Sequence, residues 1–330
     1  MQKREFIIGV DVSKLTLDLY LNKTKAHLKI ENETEGFKSV LKWCQELKVD
    51  LSEVIFAMEH TGGYEYKFIQ FLMSKNISFI RIPALAIKRS LGIVRGKNDK
   101  VDAKRIAVYT EEKQNSLEPS KPLNTAIIEL KELLGFRKRI VRETAGYKSS
   151  VKERQHIYPD RKQDFMIKSM QQKIKANEAL LEKIETKIKE LIQSDDSICQ
   201  NYKLLTTIKG IGPVNAWMTI AYTENFKSFP DARSYAVYVG VVPFDYSSGT
   251  SLKGRKRISP LANKELKQEL NQAALSAIQC DKELSLYAER KRETKHFKIV
   301  LNNVKFKLIL RMFAIIKKQQ PYVDKYKKAA

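Results

Sequence analysis

The first apolar run, Phe6-Ile7-Ile8-Gly9-Val10-Asp11-Val12, is a string of β-formers broken late by one acid. A continuous apolar run of this length reads as a strand buried on both faces. After the polar turn at Ser13-Lys14, Leu15, Leu17 and Leu19 alternate with Thr16, Asp18 and Tyr20. That alternation predicts a hairpin partner with one polar face. His27 to Ile30 reads as a third strand. The period then changes: Phe37, Val40, Leu41 and Trp43 give Glu35 to Leu47 the apolar side of a helix. Val54 to Glu59 is again continuously apolar, and again ends in a carboxylate. The turn Thr61-Gly62-Gly63, a helix to about Lys75, a strand from Ser78 to Ile82 and a helix starting near Asp99 follow. Three strands, helix, strand, helix, strand, helix is the order of a mixed sheet flanked by helices, an α/β arrangement.

Two prolines, Pro119 and Pro122, interrupt the chain next. Thr125 to about His156 is helical and very basic, and Tyr158-Pro159-Asp160 breaks it. Ile167, Met170, Ile174, Asn177, Leu181, Ile184, Ile188 and Leu191 are then spaced alternately three and four apart, a heptad seam with one polar position. Its partner is either the preceding helix of the same chain, a second chain, or both. The last part is predicted to be mainly helical. It holds a tight turn, Lys209-Gly210-Ile211-Gly212-Pro213, a helix from Phe229-Pro230 to Val239, a polar turn through Ser251, and a helix opened by Ser259-Pro260. Beyond Lys282 a packed helix with a basic face is expected. These patterns divide the chain into 1–117, 118–195 and 196–330.

Charge changes the picture most. Lys and Arg number 61 against 38 Asp and Glu, a net charge of +23. Such an excess points to a polyanion, either nucleic acid or an anionic membrane surface. No apolar stretch reaches the roughly 18 residues of a spanning helix, and the N-terminus shows no signal-peptide core. Cys44, Cys199 and Cys280 are too far apart for a zinc motif. The simplest class is a cytoplasmic nucleic-acid-binding protein.

On that background the acids acquire a chemistry. Asp11 and Glu59 end apolar strands, and Asp99 and Asp102 share one face of a helix start. Each alone has an ordinary reading, as an acceptor of turn hydrogen bonds or as a charge at a helix N-terminus. Together, four carboxylates from three elements are the hard oxygen donors that Mg²⁺ or Mn²⁺ takes in phosphodiester chemistry.

The segments Ile8-Gly9-Val10-Asp11-Val12-Ser13-Lys14, Met58-Glu59-His60-Thr61-Gly62-Gly63-Tyr64 and Lys97-Asn98-Asp99-Lys100-Val101-Asp102-Ala103 resemble the DEDD transposases. These are insertion-sequence recombinases of the IS110/IS1111 type, related to Piv-type DNA invertases. The resemblance runs from Ile8 to about Gln279. It implies an RNase H-like (RuvC-like) N-terminal domain and maps the family tetrad onto Asp11, Glu59, Asp99 and Asp102. It implies a coiled-coil middle region and, from Gly210 to Ala274, the family's C-terminal transposase domain. The nucleophilic serine of that domain falls on Ser248, with Ser247 the adjacent alternative. It further implies donor and target DNA as substrates, a structured bridge RNA as guide, and a homo-oligomer, dimer or tetramer, whose subunits share a composite site.

Other candidate contacts are Lys209, Gly210 and Gly212, where a helix-hairpin-helix-like turn would meet a phosphate, and the basic run Lys253, Arg255, Lys256 and Arg257. A plain tight turn and a solvated charge patch are their ordinary counterparts. Two further functions compete with recombination: a RuvC-like nuclease or junction resolvase that uses water, and a non-catalytic scaffold.

Overall fold

A computed structural model describes residues 4–60, 62–90, 99–120, 124–161, 164–248 and 252–324. The chain forms two compact units, Met1–Pro122 and Leu123–Ala330.

In the first unit, β1 (Phe6–Val12), β2 (Thr16–Leu21) and β3 (His27–Glu31) form an antiparallel meander. Helix α1 (Thr34–Glu46) leads to β4 (Val54–Glu59), and α2 (Tyr66–Ser74) joins β4 to β5 (Ser78–Ile82). Both later strands run parallel to β1, giving the spatial order β3-β2-β1-β4-β5. This is the mixed five-stranded sheet of an RNase H-like fold. Helices α3 (Ala84–Ser90) and α4 (Asp99–Glu112) complete the unit. The sequence reading lacked α3, whose two turns are too short for a visible period. The central position of β1 explains its apolar run, since both faces are covered. Phe56 packs on Phe68 of α2, which meets Phe37 of α1 at 5.2 Å between ring centroids. On the other face Ile7, Ile55, Ala57, Ile80 and Ile82 share a cluster with Ala103, Ile106 and Ala107 of α4. β2 departs from its expected polar face: Asp18 and Tyr20 are 4% and 5% exposed. The reason is that α4 lies over β2 as well as β1.

The second unit begins with two long helices, α5 (Thr125–Ile157) and α6 (Phe165–Gln193), packed as a hairpin. Ion pairs fix its antiparallel sense: Arg137 with Glu185 at 2.9 Å, Lys148 with Glu178 at 2.7 Å, and Arg154 with Asp164 at 2.6 Å. The heptad seam is thus filled from within the chain. Asn177 is buried in it, with no hydrogen-bond partner for its Nδ2 among the described residues.

There follow α7 (Asp196–Leu205), α8 (Pro213–Tyr222), α9 (Ala232–Val239), β6 (Phe244–Ser248), β7 (Leu252–Arg257), α10 (Lys264–Cys280), α11 (Lys282–Arg292) and α12 (Phe297–Lys318). Asn124, Asp164, Asp195, Asp231, Asn263 and Asp281 each cap a helix by accepting a backbone N–H of its first turn. One core runs from Ile127, Ile188 and Ile192 of the helical hairpin to Trp217 of α8 and Leu308 and Met312 of α12. The expected polar turn before Ser251 is instead an antiparallel ribbon, with Ser248 opposite Leu252. The serines there disguise a strand that also carries Phe244 and Tyr246. Ser259-Pro260 does not open a helix either; α10 starts later, on the cap Asn263. Among the described residues no helix is long and apolar enough to cross a membrane.

Candidate active site

Register brings the first two acids together. β1 and β4 pair in parallel up to Val10 with Met58, and the next step places Asp11 beside Glu59. Two residues back on the same face are Gly9 and Ala57, which lie under α4. The helix comes close because position 9 has no side chain. A Cβ on Gly9 would stand 2.1 Å from the Ala103 carbonyl oxygen and 2.5 Å from the Ala107 nitrogen. Asp102 immediately precedes Ala103, and Asp99 begins the same helix. Contact with Gly9 therefore sets the first turn of α4 near the ends of β1 and β4.

The Asp11 carboxyl feels its burial and the other acids. Burial, then the charges of Asp102, Asp99, Glu59 and Asp18 in that order, push the Asp11 carboxyl up to about 6. A part-buried acid ringed by like charges favours its neutral form. Two neighbours hold cations of this chain: Arg105 donates to Asp102 at 2.6 Å, and the Lys29 Nζ lies 3.7 Å from Asp99.

The sequence reading missed Asp18. The hairpin turn, closed by the Ser13 N–H on the Thr16 carbonyl, sets Asp11 opposite Asp18. Counting back from that turn would have found it. Asp18 meets the His27 Nε2 at 2.8 Å and the Lys29 Nζ at 3.3 Å. Glu65 was missed too. It is 1% exposed, accepts from the Gly63 N–H at 2.9 Å and from the Arg81 guanidinium at 3.0 Å, and so braces the loop that follows Glu59. The His60 ring, beside Glu59 in sequence, lies 3.7 Å from Glu65.

As these side chains stand, no group of three or more His, Cys, Asp or Glu among the described residues is arranged to hold a metal ion. The donor chemistry nonetheless suits a hard divalent cation: carboxylates from β1, β4 and α4 repel one another around Asp11. Lys97 and its neighbours 91–98 lie outside the described residues.

In the second unit the Gly turn links α7 to α8 as expected, with Gly212 as N-cap and Pro213 in the first turn. Gly210 has φ +90°, and a Cβ there would meet the Ala273 oxygen and the Ala277 Cβ of α10 at 2.6 Å. Its glycine is thus required by helix packing, whereas Gly212 faces open space. Lys209 pairs with Asp324 at 2.6 Å. Of the ribbon, the backbone is described: Ser247 pairs with Lys253 and Phe244 with Arg257. The side chains of Ser247, Ser248, Lys253, Arg255, Lys256 and Arg257 lie outside the described residues.

Residues 8–154 match the family model of the IS110-type DEDD transposases, and residues 202–289 match that of the transposase IS116/IS110/IS902 family. The chain is also similar to the pilin gene-inverting proteins of Moraxella lacunata and Moraxella bovis. Each is 26% identical over 324 residues, covering 96% of this chain and 97% of the relative.

Proposed function

The chain belongs to the IS110-type family of DEDD transposases, enzymes that recombine DNA, and from that premise we propose a chemistry divided between its two units. Asp11, Glu59, Asp99 and Asp102 hold a divalent ion, Mg²⁺ or Mn²⁺, and Ser248 is the nucleophile. The observation that carries the first part is geometric: strand register sets Asp11 beside Glu59, and α4 packs onto Gly9 with Asp99 and Asp102 in its first turn, while burial and then the charges of these acids raise the Asp11 carboxyl. A divalent ion bound there supplies polarisation of the scissile phosphate.

The serine oxygen attacks phosphorus and displaces one DNA hydroxyl, leaving a phosphoserine link. Attack on that link by a hydroxyl of another strand rejoins DNA and frees the serine, without ATP. The run Lys253, Arg255, Lys256 and Arg257 holds the DNA backbone, with Lys209, Gly210 and Gly212 as a second backbone contact. Functionally the chain divides into a RuvC-like part at 1–117, a helical connector at 118–195 and a transposase part at 196–330. It works in the cytoplasm as a dimer or tetramer on donor and target DNA, guided by a structured bridge RNA. Gene inversion, named for the Moraxella relatives, is chemistry of the same kind.

The test is a trapped adduct. With nicked suicide DNA and Mg²⁺, wild type and Ser247→Ala should become covalently linked to DNA, while Ser248→Ala should bind DNA without linkage. Adduct in Ser248→Ala but not in Ser247→Ala would move the nucleophile by one residue. Cleavage by Ser248→Ala at the wild-type rate, with no adduct in any variant, would instead establish a nuclease or resolvase that uses water. RNase treatment of the purified protein should abolish sequence-specific exchange if an RNA is the guide.

A further inference from the structure

Asp11, Asp18 and Lys29 stand on one rung of the sheet. β1 pairs Asp11 with Asp18, and β2 pairs Asp18 with Lys29. Residues directly opposed on antiparallel strands project on the same face, here the face under α4. From the edge strand β3 the Lys29 ammonium reaches Asp18 at 3.3 Å and Asp99, the first residue of α4, at 3.7 Å. The two acids differ in setting. The Asp18 side chain is 5% exposed and is also met by His27, whereas that of Asp99 is 59% exposed. The lysine is therefore shared between a buried acid that keeps its partners and an exposed one that can leave.

We propose that Lys29 is a positioning residue of the acidic site: an internal counter-cation that holds Asp99 beside Asp18 until a divalent ion displaces it. The proposal rests on the tetrad reading above. The closer contact is with Asp18, so release of Asp99 leaves the ammonium anchored on the rung. Its positive charge then stays beside the incoming ion and opposes binding. A half-exposed lysine on an exposed carboxylate is a weak pair, which a doubly charged ion bound by several carboxylates outcompetes. Each acid of α4's first turn thus has a cation of this chain beside it, Lys29 by Asp99 and Arg105 by Asp102.

The experiment uses the full chain and reads thermal unfolding against Mn²⁺ concentration, with no DNA present. Lys29→Met should lower the Mn²⁺ midpoint by on the order of fivefold, the effect of removing one screened charge near a divalent ion. Lys29→Arg should behave as wild type. Lys14→Met removes an exposed lysine that makes no ion pair among the described residues, and should leave the midpoint unchanged. Lys29→Gln repeats the neutralisation with a polar side chain, should the apolar variant not fold. A midpoint in Lys29→Met equal to wild type, or a shift matched by Lys14→Met, overturns the proposal while leaving the tetrad reading intact. Absence of any Mn²⁺-dependent shift in wild type removes both.

Discussion

Gly9 and Ala103 touch backbone to side-chain void: the space a Cβ on residue 9 would need is held by the Ala103 carbonyl, 2.1 Å away. The contact links one position of the central strand to the helix that delivers Asp99 and Asp102. Gly9→Ala must push α4 away from the sheet, because backbone atoms cannot rotate aside. Overpacking of this kind costs about 1–3 kcal/mol. The expected result is a folded but less stable N-terminal unit whose divalent-ion stabilisation falls more than its melting temperature does. Calorimetry with and without Mn²⁺ measures both. A variant with wild-type metal response would show that α4 is not positioned by this contact.

Asp11 is predicted to be a stability cost in the absence of metal. Its carboxyl is held at about 6 against an ordinary 3.8, so folding favours its protonated form. The sign follows: its contribution is present below pH 4 and is lost as pH rises through 6. Asp11→Asn should then stabilise the chelator-treated protein at pH 8, by on the order of 2 kcal/mol once its partial exposure is allowed for. The gain should shrink towards pH 4. With Mn²⁺ the order should reverse, since wild type gains a ligand-bound state that the variant lacks. A lower melting temperature for Asp11→Asn at pH 8 in chelator would count against the acid cluster.

What the sequence made legible depended on range. β1 and β4 declare themselves because strands buried on both faces are continuously apolar, and the acids ending them stand out against that background. The heptad of α6 is legible for the same local reason. Asp18, Lys29 and Glu65 are not, because their importance comes from pairing register and loop closure. The ribbon carrying Ser248 was misread because Ser247, Ser248 and Gly249 have the composition of a turn. Asn263 took the cap expected at Ser259, for helix starts depend on where tertiary packing lets the period begin.

The coiled-coil seam yields a prediction that separates folding from assembly. Ile184 is 5% exposed and shares a core with Ile140 of α5 and with the helices beyond. Ile184→Asp buries an unpaired charge in that core, a change that strongly destabilises. Circular dichroism should show loss of cooperative helix melting in the second unit. Light scattering at low temperature checks the alternative. A variant that halves its mass yet melts as wild type does would place Ile184 in a contact between chains.

The basic strand β7 gives the last prediction. Lys253, Arg255, Lys256 and Arg257 place four cations on a six-residue strand paired with the strand that ends at Ser248. A strand advances about 3.3 Å per residue, so the backbone that carries these residues spans a length comparable to a few phosphates of one DNA strand. If each cation displaces a counterion, the slope of log K against log salt carries about −0.9 per contact on duplex DNA. Replacing all four by Gln should therefore reduce the slope by about 3–4, and should weaken binding most at low salt. Loss of affinity with an unchanged slope would mean that the substitutions harmed the ribbon without removing phosphate contacts. An unchanged affinity and slope would show that the strand touches no phosphate, leaving DNA binding to cations elsewhere on the chain. Filter binding on one duplex at several salt concentrations distinguishes the three. Repeating it with single-stranded RNA tells whether β7 holds DNA or RNA, because the nucleic acid that loses slope is the one it holds.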